Sequence, residues 1–248
     1  MRYSYQELKS MKSDRVKHRF YSQKFAKGLI LSDRLEKVLS VFRGHHFNRM
    51  LDIGCGDGSF SLLLKNFSDE VYGIDISEDA IRLAREKGIK AYIVDLDGEK
   101  LPFENDFFNA VFCGEVIEHL YDPDNLLDEI QRVLVPEGIC VITTPNLASW
   151  LNRIVLLFGF QPYFTEISLK YNVGKFGAKT QDISGHIRVF TCRSLKELLK
   201  LHGFSVEKNI GVNIAKDLPF LIRPIERLFS RKASLASYLV FVAKKQVT

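Results

Sequence analysis

The stretch Leu51-Asp-Ile-Gly-Cys-Gly-Asp-Gly-Ser59 constrains the fold of this chain more than any other. It follows a short apolar run from Arg49 and leads into a helical pattern, Ser59 to Phe67. Glycines at 54, 56 and 58 let the backbone turn sharply and approach a ligand with no side chain in the way. The helix start beyond them offers free amides and a positive dipole end to an anionic group. No glycine loop ending in Gly-Lys-Ser/Thr is present, which excludes the Walker-type phosphate loop. The third glycine follows the second by only two residues, which argues against a dinucleotide fingerprint. Asp75 lies about 20 residues beyond the loop, where a carboxylate accepts both hydroxyls of a ribose. Asp95-Leu96 ends a later apolar run, a place from which a carboxylate can meet an adenine amino group. The blander alternative is that both aspartates only cap the helices that follow.

Around the loop, strand and helix patterns alternate. Glu70–Ile76, Ala91–Asp95, Ala110–Gly114 and Ile139–Thr144 read as strands, each nearly continuously apolar. Ser77 suits the N-cap of a helix running to Lys87, with Gly88 as its stop. Asp124–Leu134 reads as a helix closed by Pro136 and Gly138, and Arg193–His202 as another. Strands near Phe204 and from Tyr238 to Ala243 end the pattern, and residues 2–43 are charged and helix-like. Such alternation means an α/β fold with a parallel sheet covered on both faces. The economical parse is one domain: an N-terminal helical cap (1–48), a cofactor-binding core (49–146), an inserted lid (147–180) and a C-terminal part of the sheet (181–248).

On these motifs the chain resembles the class I S-adenosylmethionine-dependent methyltransferases. The resemblance covers residues 49–146 and rests on LDIGCGDG, GIDIS, VDLDGEKLPFENDFFNAVFC, EVIEHL and ITTPN. It implies a Rossmann-like, doubly wound, mostly parallel sheet of seven strands with a reversed last hairpin, which residues 204–246 could supply. It implies S-adenosyl-L-methionine as cofactor, with Asp52, Gly54, Cys55, Gly56, Asp75, Ile76, Asp95, Leu96 and Glu115 as its contacts. The ubiquinone-pathway O-methyltransferases carry a similar E-x-x-E-H. So do the small-RNA 2′-O-methyltransferases, which add a later histidine and bind a metal.

Here that signature is Glu115, Glu118 and His119, with His186 sixty-seven residues further on. If Glu115 opens a helix, the first three share one side and, with His186, suit a divalent cation. Catalysis is expected from His119, His186 and Glu118, since a neutral imidazole or a metal can assist loss of a hydroxyl proton. Metal binding, base-only use of a histidine, and no chemical role all remain open at this stage.

Composition places the acceptor. The 248 residues are 46% hydrophobic and 26% charged, an ordinary globular balance that excludes disorder, collagen and coiled coil. Net charge is +5, but residues 50–146 are acidic and both flanks are basic. The lid is aromatic (Trp150, Phe158, Phe160, Tyr163, Phe164), and Leu218–Lys232 spaces Arg223, Arg227 and Arg231 along a basic amphipathic stretch. Together they favour a small, glycan or lipid-linked acceptor with an anionic part, and they allow peripheral membrane contact. RNA ranks behind, as no RNA module is recognisable, and a non-catalytic cofactor-binding scaffold ranks third. The longest apolar stretch, Leu147–Phe164, is broken by Asn152 and Arg153 and is too short to span a membrane. No signal peptide is visible, and the four cysteines form no CxxC pair. The expected place is the cytoplasm, extending to the inner membrane surface. Arg19–Ile30 is expected to close over the cofactor.

Overall fold

The computed structural model describes residues 32–177, 184–214, 216 and 218–247. The expected closure by Arg19–Ile30, and most of the expected N-terminal helix, lie outside these residues. The first described helix is α1 (Asp33–Phe42), capped by Ser32, whose hydroxyl accepts from Leu35 N. There follow β1 (Phe47–Ile53), α2 (Ser59–Leu64), β2 (Ser68–Asp75), α3 (Glu78–Glu86), β3 (Lys90–Ile93) and β4 (Phe108–Gly114). After a 3₁₀ turn at Ile117–His119 come α4 (Pro123–Val133), β5 (Leu134–Pro145), α5 (Trp150–Leu157), α6 (Cys192–Leu201), β6 (Phe204–Val212), α7 (Arg223–Phe229) and β7 (Tyr238–Lys245).

The seven strands form one sheet in the order β3-β2-β1-β4-β5-β7-β6. All pairs are parallel except those of β7, which runs antiparallel to β5 and β6. The expected seven strands with a reversed final hairpin are therefore found. Alternate residues of each strand feed opposite faces. Leu51, Ile53, Val111 and Cys113 pack under α4 and α6, whereas Met50, Ala110 and Phe112 pack under α1 and α2. Ser77 caps α3 as expected, accepting from Ala80 N at 3.3 Å.

Helix and strand ends shift by one to three residues from those expected, and the boundary between α4 and β5 differs in kind. Pro136 and Gly138 do not separate α4 from its strand; they lie within β5, which starts at Leu134. Phe108 pairs with Leu134 and Ala110 already with Ile139, so residues 135–138 bulge out of the ladder. Glu137 adopts φ 62° to make that bulge.

Successive connections from β1 lead to β2 and β3 on one side, while β4 lies on its other side. The chain thus reverses direction across the sheet between β1 and β4, which opens a crevice at their carboxyl ends.

Candidate active site

A cleft with ≈ 530 Å³ of empty space sits over that crevice. Its walls come from the ends of four strands: Gly54 after β1, Asp75 and Ile76 after β2, Val94–Leu96 after β3, and Gly114–Val116 after β4. His119 and Leu120 complete it. Gly54 has φ 74°, and a Cβ there would meet Val116 Cγ2 at 2.3 Å. Only glycine fits, and the backbone itself becomes the floor. Gly58 has another task. A Cβ on it would press on Ala84 and Ile89 at 3.0–3.2 Å, so the third glycine lets the loop pack on α3.

Asp75 is buried, and its two oxygens accept from Gly56 N at 3.0 Å and Ser77 N at 2.9 Å. Desolvation raises its pKa, and the hydrogen bonds from Ser77 and Gly56 work against that. A carboxylate has about four lone-pair sites, so two amides leave room for two hydroxyls. A glycine floor, a carboxylate facing the cleft, and Ile76, Val94 and Leu96 around Asp95 fit an adenosyl group joined to a methionine end.

Not every expected cofactor contact lines the cleft. Cys55 points beneath the loop into a small core with Ile81, Ala84, Ile89 and Ala91, and burial pushes its thiol far up. Asp52 lies under the sheet, accepting the Ser61 hydroxyl at 2.6 Å. Burial raises its pKa to about 7. Gly56 meets the site through its amide to Asp75.

The expected helix at Glu115 is absent. Glu115 has φ 56°, a left-handed backbone that ends the alignment of its side chain with Glu118. Its carboxylate pairs with Arg34 Nη1 at 2.7 Å and accepts from Thr143 Oγ1 at 3.4 Å. The other three signature residues do converge. Ligand atoms of Glu118, His119 and His186 all lie within 4.8 Å of one another. The two imidazole rings stand 4.8 Å apart.

What brings His186 there is the backbone. Ile187 N and Arg188 N donate to the Glu118 carbonyl at 2.8 and 3.0 Å, and Leu147 N donates to Phe190 O. His119 Nδ1 bonds the Gly185 carbonyl at 3.1 Å, and His186 Nδ1 the Phe164 carbonyl at 2.9 Å. A carbonyl can only accept, so Nδ1 of both rings carries a proton, and in a neutral ring Nε2 is then the nitrogen that holds the lone pair. Glu118 is fully buried; Thr144 Oγ1 donates to its Oε2 at 3.0 Å, and Oε1 has no hydrogen-bond partner. Desolvation, and then the charge of Glu115, push its carboxyl well above the usual range.

Sequence reasoning missed Arg34, whose guanidinium stacks over Tyr238 at 5.0 Å; Phe164, one of the aromatic residues expected near the acceptor, lies 5.2 Å from Tyr238 and 6.1 Å from His186. The same reasoning missed Asp97, which ties the β3 loop to Tyr121 N and Asp122 N at 2.7 and 3.1 Å. Asn152, the polar break in the apolar stretch Leu147–Phe164, is buried; its amide nitrogen donates to Tyr163 O and its amide oxygen accepts from Tyr163 N.

Residues 51–142 match the methyltransferase domain family. An uncharacterized protein of Methanocaldococcus jannaschii is 28% identical over 79% of this chain and 75% of its own. The ubiquinone biosynthesis O-methyltransferase of Alkalilimnicola ehrlichii is 31% identical over 46% of this chain and 48% of its own, so the match spans about half of that relative. A solved Pyrococcus horikoshii protein superposes with a TM-score of 0.57 at 24% identity, over 86% of this chain and 88% of its own. With the sheet order, the glycine floor and the Asp75 carboxylate, these likenesses define a Rossmann-like cofactor-binding enzyme. The domain match over residues 51–142 and these likenesses support a class I S-adenosylmethionine-dependent methyltransferase, an enzyme type whose cofactor is S-adenosyl-L-methionine.

Proposed function

We propose that this chain methylates a hydroxyl of a small, glycan or lipid-linked acceptor that carries an anionic part. The observation that carries this reading is the convergence of His119, His186 and the half-satisfied Glu118 beside the cleft. The likeness to an O-methyltransferase of ubiquinone biosynthesis adds support.

In this reading Asp75 holds the ribose hydroxyls, Asp95 with Leu96 and Ile76 brackets the adenine, and Gly54 gives its backbone to the methionine end. S-adenosylmethionine, when bound, supplies an electrophilic methyl. His119 or His186 takes the acceptor proton at Nε2 as the oxygen moves onto that methyl. The expected lid, whose residues 178–180 lie outside those described, covers the acceptor and excludes water, with Phe164 beside His186. A divalent cation fits as well, and Glu118, His119 and His186 would hold it through one carboxylate oxygen and two imidazole nitrogens. Glu118 Oε1 would thereby gain the partner it lacks. Glu115, expected as a fourth ligand, stands instead against Arg34. The cytoplasm remains the proposed compartment, in keeping with four buried free thiols.

Extracts incubated with isotope-labelled cofactor and the protein, then searched by mass spectrometry, test the reading. A labelled hydroxyl on an acidic glycan or lipid precursor is the expected product. A labelled RNA ribose, together with salt-dependent RNA binding, would replace it by the 2′-O-methyl alternative. Cofactor binding with no labelled product in any fraction would leave a scaffold.

A further inference from the structure

We infer that the face built by α5, the turn at 218–222 and α7 docks on the surface of an anionic phospholipid bilayer. This deepens the reading above, resting on it only for the purpose of the docking.

The first observation is an inverted helix. In α7 the carboxylate of Glu226 is fully buried, while Ile225 and Leu228 face outward. Four donors hold that carboxylate inside: Trp150 Nε1, Ile214 N, and the hydroxyls of Ser230 and Ser237. Helices of a globular protein place apolar residues inward, so a helix fastened by its acid with its apolar side out is not serving its own core. The preceding turn adds Phe220 and Leu221, exposed by 78% and 82%.

The second observation is continuity. Trp150 of α5 stacks on Phe229 of α7, with ring centroids 5.3 Å apart and planes at 21°. Beyond that contact α5 exposes Ile154, Leu157 and Phe158, spaced three and four residues apart on one side, with Leu157 81% exposed. One apolar surface therefore runs across both helices, far more than isolated exposed leucines would need explaining.

Charge selects the occupant. Arg227, Arg231 and Lys232 are exposed around α7, Arg153 is exposed on α5, and the acid of α7 is turned inside. A second copy of this chain would set these cations against their own kind. A bilayer bearing anionic headgroups offers both apolar depth and negative charge over a wide area. The contact lies on the membrane, not through it, since among the described residues no helix is long and apolar enough to cross. The docking face also reaches the acceptor side, because Asn152 of α5 holds Tyr163 next to Phe164 and His186.

The test is flotation of the full chain with vesicles of phosphatidylcholine alone, or of phosphatidylcholine mixed with phosphatidylglycerol. The mixed vesicles should bind roughly tenfold or more tightly, and added salt should weaken them. The double variant Leu157→Glu, Leu221→Glu should lose that binding and keep both its circular dichroism and its cofactor affinity by calorimetry. No preference for the mixed vesicles, or an unchanged double variant, overturns the inference. So does a dimer in analytical ultracentrifugation that the double variant dissolves. Vesicle binding without any methylated product would sink the proposed acceptor class and leave this surface standing.

Discussion

Thr144, near the end of β5, donates its hydroxyl to Glu118 Oε2 at 3.0 Å and leaves Oε1 of the same buried carboxylate unpartnered. The Glu118 carbonyl is also occupied, by Ile187 N and Arg188 N, so its backbone is pinned beside the segment that carries His186. A buried acceptor left unpaired costs about 1–3 kcal/mol, and more when charged. Folds keep such a cost where a ligand or a proton removes it. Burial, and then the charge of Glu115, hold the carboxyl well above its usual range, and the single hydrogen bond from Thr144 offsets that only in part.

Asp75→Ala should weaken S-adenosylmethionine by tenfold or more, about 1.4 kcal/mol. Its two oxygens already order Gly56 N and Ser77 N, so the variant loses the shape of the loop as well as the ribose acceptor. Calorimetry measures this, and unchanged affinity with intact circular dichroism would remove Asp75 from the cofactor site.

Much of this was legible in local sequence, and the exceptions share a cause. The strands, the glycine floor and Asp75 could be read because apolar period, turn chemistry and spacing act within a few residues. Glu115 was misplaced because helical spacing was assumed where a left-handed residue follows β4. Cys55 was misplaced for a related reason: motif membership does not say which side of the loop a side chain takes. Arg34 and Tyr238 had no local signal at all. They meet Glu115 and Phe164 only because β7 runs back beside β5, pairing Tyr238 with Pro145. Proline and glycine at 136 and 138 looked like a stop and proved to be a bulge, since strand pairing resumed beyond them.

Asp52 should make stability fall as pH rises through the acidic range. In the unfolded chain it ionises near 3.8, whereas burial raises the folded value to about 7. Between those values the folded state binds the extra proton, so raising the pH favours unfolding until about 7, and the loss then levels off. Asp52→Asn removes this dependence and keeps an acceptor for Ser61. Urea titrations of cofactor-free protein at pH 5 and pH 8 should show the variant gaining on the wild type, at about 1.4 kcal/mol per unit of pH at most. Parallel profiles would mean that Asp52 is ionised throughout.

Glu226→Ala should destabilise by roughly 2–4 kcal/mol, because it strips a buried acceptor from four donors. Trp150 is the only tryptophan of the chain, so its fluorescence reports the loosening of α7 directly. The expected signs are a lower urea midpoint and a red-shifted native emission. Glu226→Gln, which keeps acceptors for part of the set, should fall between. A wild-type midpoint in the alanine variant would show that α7 is held by its other contacts.

Chelation separates the two chemical readings of the histidine pair. If Glu118, His119 and His186 hold a cation, activity should fall in EDTA and return with Mg²⁺, Mn²⁺ or Zn²⁺, since mixed carboxylate and imidazole ligands select weakly among them. His186→Ala should then lower turnover while leaving S-adenosylmethionine affinity within about twofold, because the ring faces Phe164 and His119 and the cleft's aspartates are untouched. Glu118→Gln should abolish cation binding measured directly by calorimetry, a readout that does not depend on any acceptor. If instead a histidine acts alone as base, the loss of His186 still costs turnover, but EDTA changes nothing and calorimetry with each cation is flat. Full activity in excess EDTA together with that flat titration would end the metal reading and leave Nε2 of the two imidazoles as the proton acceptor.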